Sequence, residues 1–356
     1  MGTQITRPSI NVREKISENY LPSGAHGAQL ARSESPQETF NIVRAGRRNL
    51  IINGDFQISQ RGDYTSSTSL GNNQYYLDRW YRNGNSNGGE TFQHKTNQAV
   101  PTENGTVYVN THLTTSVNAN GWLSHGQIIE PINYRHLKGK WVTASVYVKT
   151  NNPYVGLRIY DAAAAVSQHI GMRHSGNGTW ERLSMRHYVP YNSSSLYPLI
   201  DHYDGSIQYT RAGDYIECTM LQVEEGLSPT PFEHRLYPEE LALCQRYCMV
   251  YGDDDEVHLG IGVAYNSTNI NLSISTPVTM RDQPNVTRVN NGSSVWLQSY
   301  LGATGQTSDA TIEVGEKVNN NIRVYCQTTG HSSLSVGQGL WCQVLPDAKL
   351  IFAAEL

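Results

Sequence analysis

Between Trp141 and Lys149 apolar and polar side chains alternate without a break. Val142, Ala144, Val146 and Val148 point one way, and Thr143, Ser145, Tyr147 and Lys149 the other. A period of two predicts a strand with one face on a core and the other toward solvent or a partner. Tyr154 to Tyr160 repeats the pattern with Val155, Leu157 and Ile159 inward, and Trp180-Glu181-Arg182-Leu183 and Tyr215 to Met220 add two more such runs. Asn49-Leu50-Ile51-Ile52 reads as a strand leading into the turn Asn53-Gly54-Asp55, and Thr106-Val107-Tyr108-Val109 follows the turn pair Asn104-Gly105. Many short alternating runs separated by turn residues predict an antiparallel β-sandwich over residues 48–236.

The pattern changes once. From Pro238 to Tyr251, Leu241, Cys244, Cys248 and Tyr251 recur at i, i+3, i+7 and i+10, one face of a helix. Pro238 in the first turn, Glu239 and Glu240 near the positive end and Gly252 just past the last turn are helix start and stop signals. These four residues are expected at a buried seam between domains or between protomers. Period-two alternation then returns: Val257, Leu259, Ile261 and Val263, then Leu272 and Ile274, then Ile322, Val324 and Cys326, and finally Leu350-Ile351-Phe352. Residues 253–356 are therefore expected to form a second, smaller sandwich. Residues 1–47 lack such periodicity and end in a basic patch of Arg44, Arg47 and Arg48, which predicts an extended arm that docks on a partner. The expected fold class is all-β: two antiparallel, jelly-roll-like sandwiches joined by a short helix over 237–252 and preceded by that arm.

Composition narrows the function. The 356 residues carry 16% charged side chains, 22 Tyr against 5 Phe, and a net charge of −4. An average soluble domain is about 25% charged. The acidic balance argues against nucleic-acid binding, which depends on neutralising phosphates. No apolar run reaches the roughly 18 residues of a membrane span. The first twenty residues hold no apolar stretch of signal-peptide type, so synthesis and folding in a cytoplasm are expected. The five cysteines, Cys218, Cys244, Cys248, Cys326 and Cys342, form no Cys-x-x-Cys pair and are expected as buried free thiols.

Motifs for catalysis are missing: no nucleophile elbow, no phosphate-binding loop, and no His pair at ligand spacing among the 12 His. No catalytic residue, metal site or cofactor is assigned. Arg61-Gly62-Asp63 reads as an ordinary turn, and Asp201-His202-Tyr203-Asp204 as a polar loop before Gly205. Sugar rings pack their C–H faces on aromatic faces. Trp80, Trp141 and Trp180 flank strands and are expected in the core, whereas Tyr75, Tyr76, Trp122 and Tyr203 lie in or beside polar loops and are the candidate carbohydrate platforms.

Several segments, in order, carry a resemblance. Asn49 to Phe56 resembles the opening strand of a carbohydrate-binding-module-like jelly roll, Leu137 to Lys149 its central strand, and Gly178-Thr179-Trp180-Glu181 a later strand of it. Leu221 to Gly226 followed by Ser228-Pro229-Thr230-Pro231-Phe232-Glu233 is similar to the closing strand and exit found in bacteriophage tail and fibre proteins. Glu240 to Tyr247 resembles the helix that follows there, and Thr276 to Thr287 a stretch of their terminal domain. The resemblance implies a phage virion appendage protein, a homotrimer assembled in the host cytoplasm, that grips host surface glycans without catalysis and meets other virion proteins through its arm. A head decoration or cement protein, or a tail adaptor, is the alternative; a polysaccharide depolymerase is the third. Some modules of this kind hold a structural calcium near the first strand, for which Asp55 and Glu224 would be the oxygen donors.

Overall fold

The computed structural model describes residues 48–71, 73–84, 88–100, 106–117, 123–163, 170–201, 212–253, 256–290, 297–301, 304–308, 311–327, 334–346 and 348–356. The chain divides into two units, Met1–Arg48 and Asn49–Leu356. The arm over 1–47, with Arg44 and Arg47, lies outside the described residues, and Arg48 is half-buried.

The unit Asn49–Leu356 is all-β. Its first sandwich contains β1 (Thr68–Ser69), β2 (Gln74–Leu77), β3 (Trp80–Gly84), β4 (Gly88–Ala99), β5 (Thr106–Val117), β6 (Leu123–Gly126), β7 (Trp141–Thr150), β8 (Gly156–Asp161), β9 (Ile170–Arg173), β10 (Trp180–Tyr188), β11 (Leu196–Asp201) and β12 (Tyr215–Glu225). They form two six-stranded antiparallel sheets, in the orders β1-β4-β5-β12-β7-β10 and β2-β3-β6-β11-β8-β9. The short helix α1 (Pro131–Tyr134) and a 3-10 turn over Arg135–Leu137 lead into β7. The inward rows are those the alternation gives: Val142, Ala144, Val146 and Val148 from β7 face Leu157 and Ile159 from β8, all essentially inaccessible. Each valine, leucine or isoleucine of these rows contributes about 1.5–3 kcal/mol on burial. The core also holds an ion cluster, with Glu90 accepting from Arg82 Nε at 2.8 Å and lying 2.8 Å from His125 Nε2, so the buried carboxylate is paired.

The other face of β7 departs from the expectation of an open surface. Thr143, Ser145 and Tyr147 are buried as well, because the segment after β12 folds over them. Thr143 donates to the Gly226 carbonyl at 2.8 Å, and Phe232 packs with Tyr147, Met220 and Val100.

Residues 49–58 form a buckle, not a regular strand. Leu50 N donates to Val223 O, and Leu221 N to Gly54 O, both at 2.9 Å, so the segment is tied to β12 at two points. Between them Asn53 takes φ +58 and spends its amide inside the fold. Its Nδ2 donates to Ile58 O at 2.8 Å and Asp78 O at 3.1 Å, and its Oδ1 accepts from Ile58 N at 2.9 Å. Its carbonyl accepts from Trp80 Nε1 at 2.8 Å. Asn and Asp are the side-chain-bearing residues that best tolerate this backbone region.

The helix expected over 237–252 is shorter. Helix α2 spans Tyr237–Gln245, and Cys248–Asp253 is strand β13. Cys248 and Tyr251 thus sit on a strand, where Cys248 pairs with Ala353 and Tyr251 with Leu350. Helical spacing in a Cys-Met-Val-Tyr run competes with strand propensity, and the waiting partner strand decides. Leu241 and Cys244 pack with Ile52, Ile58 and Tyr247, while Tyr251 packs on the second core beside Phe352.

That second sandwich adds β14 (Val257–Ala264), β15 (Asn269–Ser275), β16 (Asn285–Asn290), β17 (Leu297–Leu301), β18 (Thr304–Ser308), β19 (Thr311–Val318), β20 (Asn321–Gln327), β21 (Gly339–Val344) and β22 (Ala348–Ala353). A three-stranded sheet, β13-β22-β16, accompanies a seven-stranded one, β18-β17-β21-β14-β15-β20-β19. All five cysteines are buried and free.

The two sandwiches meet through an apolar cluster, where Leu356 packs against Ile52, Ile58, Cys244 and Tyr247, and through charge. Glu355 accepts from Arg61 at 3.0 Å and from Arg79, which is 1% exposed. Arg79 also donates to Ile128 O at 2.6 Å and stacks on the Tyr247 ring at 3.7 Å. Tyr247 donates to Glu130 at 2.7 Å. Arg281 donates to the carbonyls of Ala354 and Glu355, each at 2.8 Å. Breaking a buried pair strands the remaining charge, so Arg79→Met is expected to cost about 3–5 kcal/mol in urea unfolding. A loss below about 1 kcal/mol would mean that the pair is not holding the junction.

Candidate carbohydrate-binding groove

The structure separates the four aromatic candidates. Tyr75 is half-buried, tilted against Tyr81 at 4.9 Å, and its hydroxyl donates to Leu356 O at 2.9 Å. Burial, then the nearby Glu355 charge, push its phenol up to about 12, so it stays a neutral donor. Tyr76 is 1% exposed and lies against Phe92 and His125, which corrects its expected place at the surface. Its strand alternates with Tyr75, and the inward face claims it. Trp122 and Tyr203 fall outside the described residues. Of the three Trp expected inside, Trp80 is fully buried, Trp180 is half-buried, and Trp141 is 48% exposed, edge-on to Tyr188.

A different surface brings chemistry together. On the outer face of the sheet β1-β4-β5-β12-β7-β10 lies a groove of about 330 Å³ lined by Thr91, Gln93, Lys95, Lys149, Tyr215 and Glu217, with Ser67 at its edge. Register explains the convergence. Glu217 on β12 stands opposite Lys149 on β7, and Lys149 stands opposite Trp180 on β10. Lys95 reaches the same carboxylate from β4, because Gln93 and Lys95 share a face two residues apart.

Glu217 is therefore clamped: Oε1 accepts from Lys95 at 2.8 Å and Oε2 from Lys149 at 2.9 Å. Burial alone would raise its carboxyl; the two ammonium groups outweigh that and hold it below the ordinary carboxylate range. The groove thus offers ammonium donors, a fixed anionic acceptor, the amide of Gln93, hydroxyls of Ser67 and Thr91, and the ring of Tyr215. Hydroxyl-rich ligands need such mixed donors and acceptors beside an aromatic face. Alternation had marked Lys149 as outward; the cross-strand partners, which only register supplies, were not legible.

Glu217 is the one carboxylate lining this groove among the described residues. No group of three His, Cys, Asp or Glu able to hold a metal occurs among them either. Of the two calcium candidates, Glu224 accepts from Thr230 N at 2.8 Å, Thr230 Oγ1 at 2.6 Å and Gln222 at 2.8 Å, and Asp55 accepts from Gln57 at 2.6 Å. Both carboxylates serve the closing loop and buckle. Asp201, expected in a polar loop, instead ends β11 and is buried against Arg158 at 2.5 Å.

Because the folded pKa of Glu217 is depressed, the stability it contributes is complete above the unfolded value and is lost as pH falls through the folded one. The difference in unfolding midpoint between the wild type and Glu217→Gln should stay constant down to about pH 5 and shrink below about pH 4. A difference that is unchanged down to about pH 3 would contradict the clamp.

No family model matches the chain. No curated protein matches it either. Among solved structures, part of the chain is similar to the enzymatically active domain of tailspike protein 4 of bacteriophage CBA120, with 14% identity, a TM-score of 0.29, and coverage of 50% of this chain and 21% of that one. It is also similar to a carbohydrate-binding module, CBM4, with 12% identity, a TM-score of 0.30, and coverage of 49% of this chain and 98% of that one. The baseplate tripod of bacteriophage Tuc2009 is similar at 13% identity and a TM-score of 0.25, over 80% of this chain and 90% of that one. Phage tail proteins and carbohydrate-binding modules are thus both among the structures the chain partly resembles.

Proposed function

We propose that the chain is a phage virion appendage protein whose first sandwich grips a host-surface glycan without cleaving it. The observation that carries this reading is the groove on the outer sheet face, where Lys95, Glu217 and Lys149 form a fixed polar ladder beside Tyr215. The ordered sequence segments from Asn49 to Thr287, which resemble phage tail and fibre proteins, support the virion setting. The arm, with Arg44, Arg47 and Arg48, is the proposed attachment to other virion proteins.

Passive binding fits the chemistry better than hydrolysis. A glycosidase normally uses two carboxylates, one of them protonated to act as acid. Glu217 is held ionised by two lysines, the reverse of what a general acid needs. Several copies on one particle would multiply a modest single-site affinity.

Titration calorimetry of the purified chain against host surface polysaccharide tests the reading. Tyr215→Ala should weaken binding roughly tenfold or more, the scale of a buried aromatic contact, and Gln93→Ala should weaken it as well. Wild-type protein that binds no host surface fraction, or variants that bind as the wild type does, would overturn it. Release of reducing ends during the titration would replace binding with depolymerisation.

A further inference from the structure

The charges in the groove do not cancel. Lys95 and Lys149 each bring an ammonium group, and Glu217 is the single carboxylate lining the groove among the described residues. Two ammonium groups against one carboxylate leave a positive charge without a partner. This local excess runs against the chain as a whole, whose net charge is −4. An ammonium carries more donors than one carboxylate oxygen uses. Lys95 spends one on Glu217 at 2.8 Å and Lys149 one at 2.9 Å, and neither makes another ion pair among the described residues. Their side chains remain 29% and 33% exposed, so the other donors are open to a ligand.

Register shows how the charges come together. Glu217 on β12 and Gln93 on β4 both stand opposite Thr111 of β5, so β5 runs between them. Strands lie about 4.8 Å apart, and Lys95 stretches across the width of β5 to reach the carboxylate. Lys149 comes from the neighbouring strand, directly opposite Glu217. Glu217 gives one oxygen to each lysine. The two ammonium groups are therefore held as a pair on either side of one carboxylate, with their remaining donors close together.

We propose that this groove selects an anionic glycan, with a carboxylate or phosphate of the sugar chain bridging the ammonium groups of Lys95 and Lys149 on the side away from Glu217. A neutral ligand covering the groove would shut an uncompensated ammonium charge away from water, which is costly. An anion supplies the missing partner, through charge-assisted hydrogen bonds that are stronger than those of a hydroxyl. One excess charge suits a polymer with an isolated anionic group in each repeat. A nucleic acid, with a phosphate at every nucleotide, needs many cations to release its counterions. The inference rests on the glycan-binding reading and adds to it the class of glycan.

Titration calorimetry of the full chain against three forms of host surface polysaccharide tests it: native, carboxyl-reduced and dephosphorylated. One of the two treatments should weaken binding by about tenfold or more, and which one names the anionic group. Raising the salt from about 0.01 M to about 0.15 M shortens the screening length from about 30 Å to about 8 Å and should weaken native binding several-fold. Lys95→Gln and Lys149→Gln should each weaken binding to the native polymer while matching the wild type more closely on the treated one. Glu217→Gln leaves both ammonium groups unopposed and should tighten native binding at low salt, the reverse of what a ligand that needs this carboxylate would show. Circular dichroism confirms that each variant is folded. Equal binding of all three polymers, lysine variants that bind the native polymer as the wild type does, or a folded Glu217→Gln that binds it more weakly overturns this inference and leaves the glycan-binding reading standing. Wild-type protein that binds none of the three overturns both.

Discussion

The polar half of the junction between the two sandwiches centres on one carboxylate, beside the apolar cluster that Leu356 joins. Glu355 is held by Arg61 and Arg79, and Arg79 is buried almost completely between the first sandwich and the Tyr247 ring. Removing such charges from water is expensive, and the bonds they make offset that cost, although Nε of Arg61 and Nε of Arg79 are buried without a hydrogen-bond partner. Here Arg79 adds the Ile128 carbonyl, Tyr247 passes the network to Glu130, and Gln60 ties the Asp78 carboxylate to the Cys248 carbonyl, which it reaches at 3.0 Å. A hydrophobic seam of the same area would tolerate sliding. A directional network satisfies its charges in one relative orientation.

That rigidity bears on the groove proposed for function. The groove belongs to the first sandwich. Where several copies sit on one particle, the fixed junction sets the angle between the groove and the rest of each copy. Multivalent gain depends on geometry that lets several sites engage at once. A floppy hinge would spend part of that gain on orientational entropy. The Lys95–Glu217–Lys149 clamp follows the same logic on a smaller scale, since its ammonium groups are already in place before a ligand arrives.

The sequence displays these features unequally. The inward rows of β7 and β8 follow directly from alternation, because one face of each meets a deep core. The buckle at Asn53 looks like a simple Asn-Gly turn; two of its four anchoring bonds close locally on Ile58, and the other two run to Asp78 and Trp80, which only the fold brings near. Helix α2 starts where Pro238 and its acids indicate, but its end is set by the pairing of β13 with β22. Tyr76 misleads because a polar neighbourhood in sequence says nothing about which way a strand faces. Ile261 and Val263 mislead in the opposite sense, since a bulge between His258 and Gly260 turns them outward, at 64% and 46% exposure. The groove itself is not legible in the sequence, because Lys95, Lys149 and Glu217 come from three strands far apart in the chain and no local spacing joins them.

Whether the two sandwiches act as one body is the point on which the rest turns, and scanning calorimetry addresses it directly. The account predicts a single transition for residues 49–356, with the calorimetric enthalpy equal to the van't Hoff enthalpy. Two resolved transitions, one for each sandwich, would contradict it.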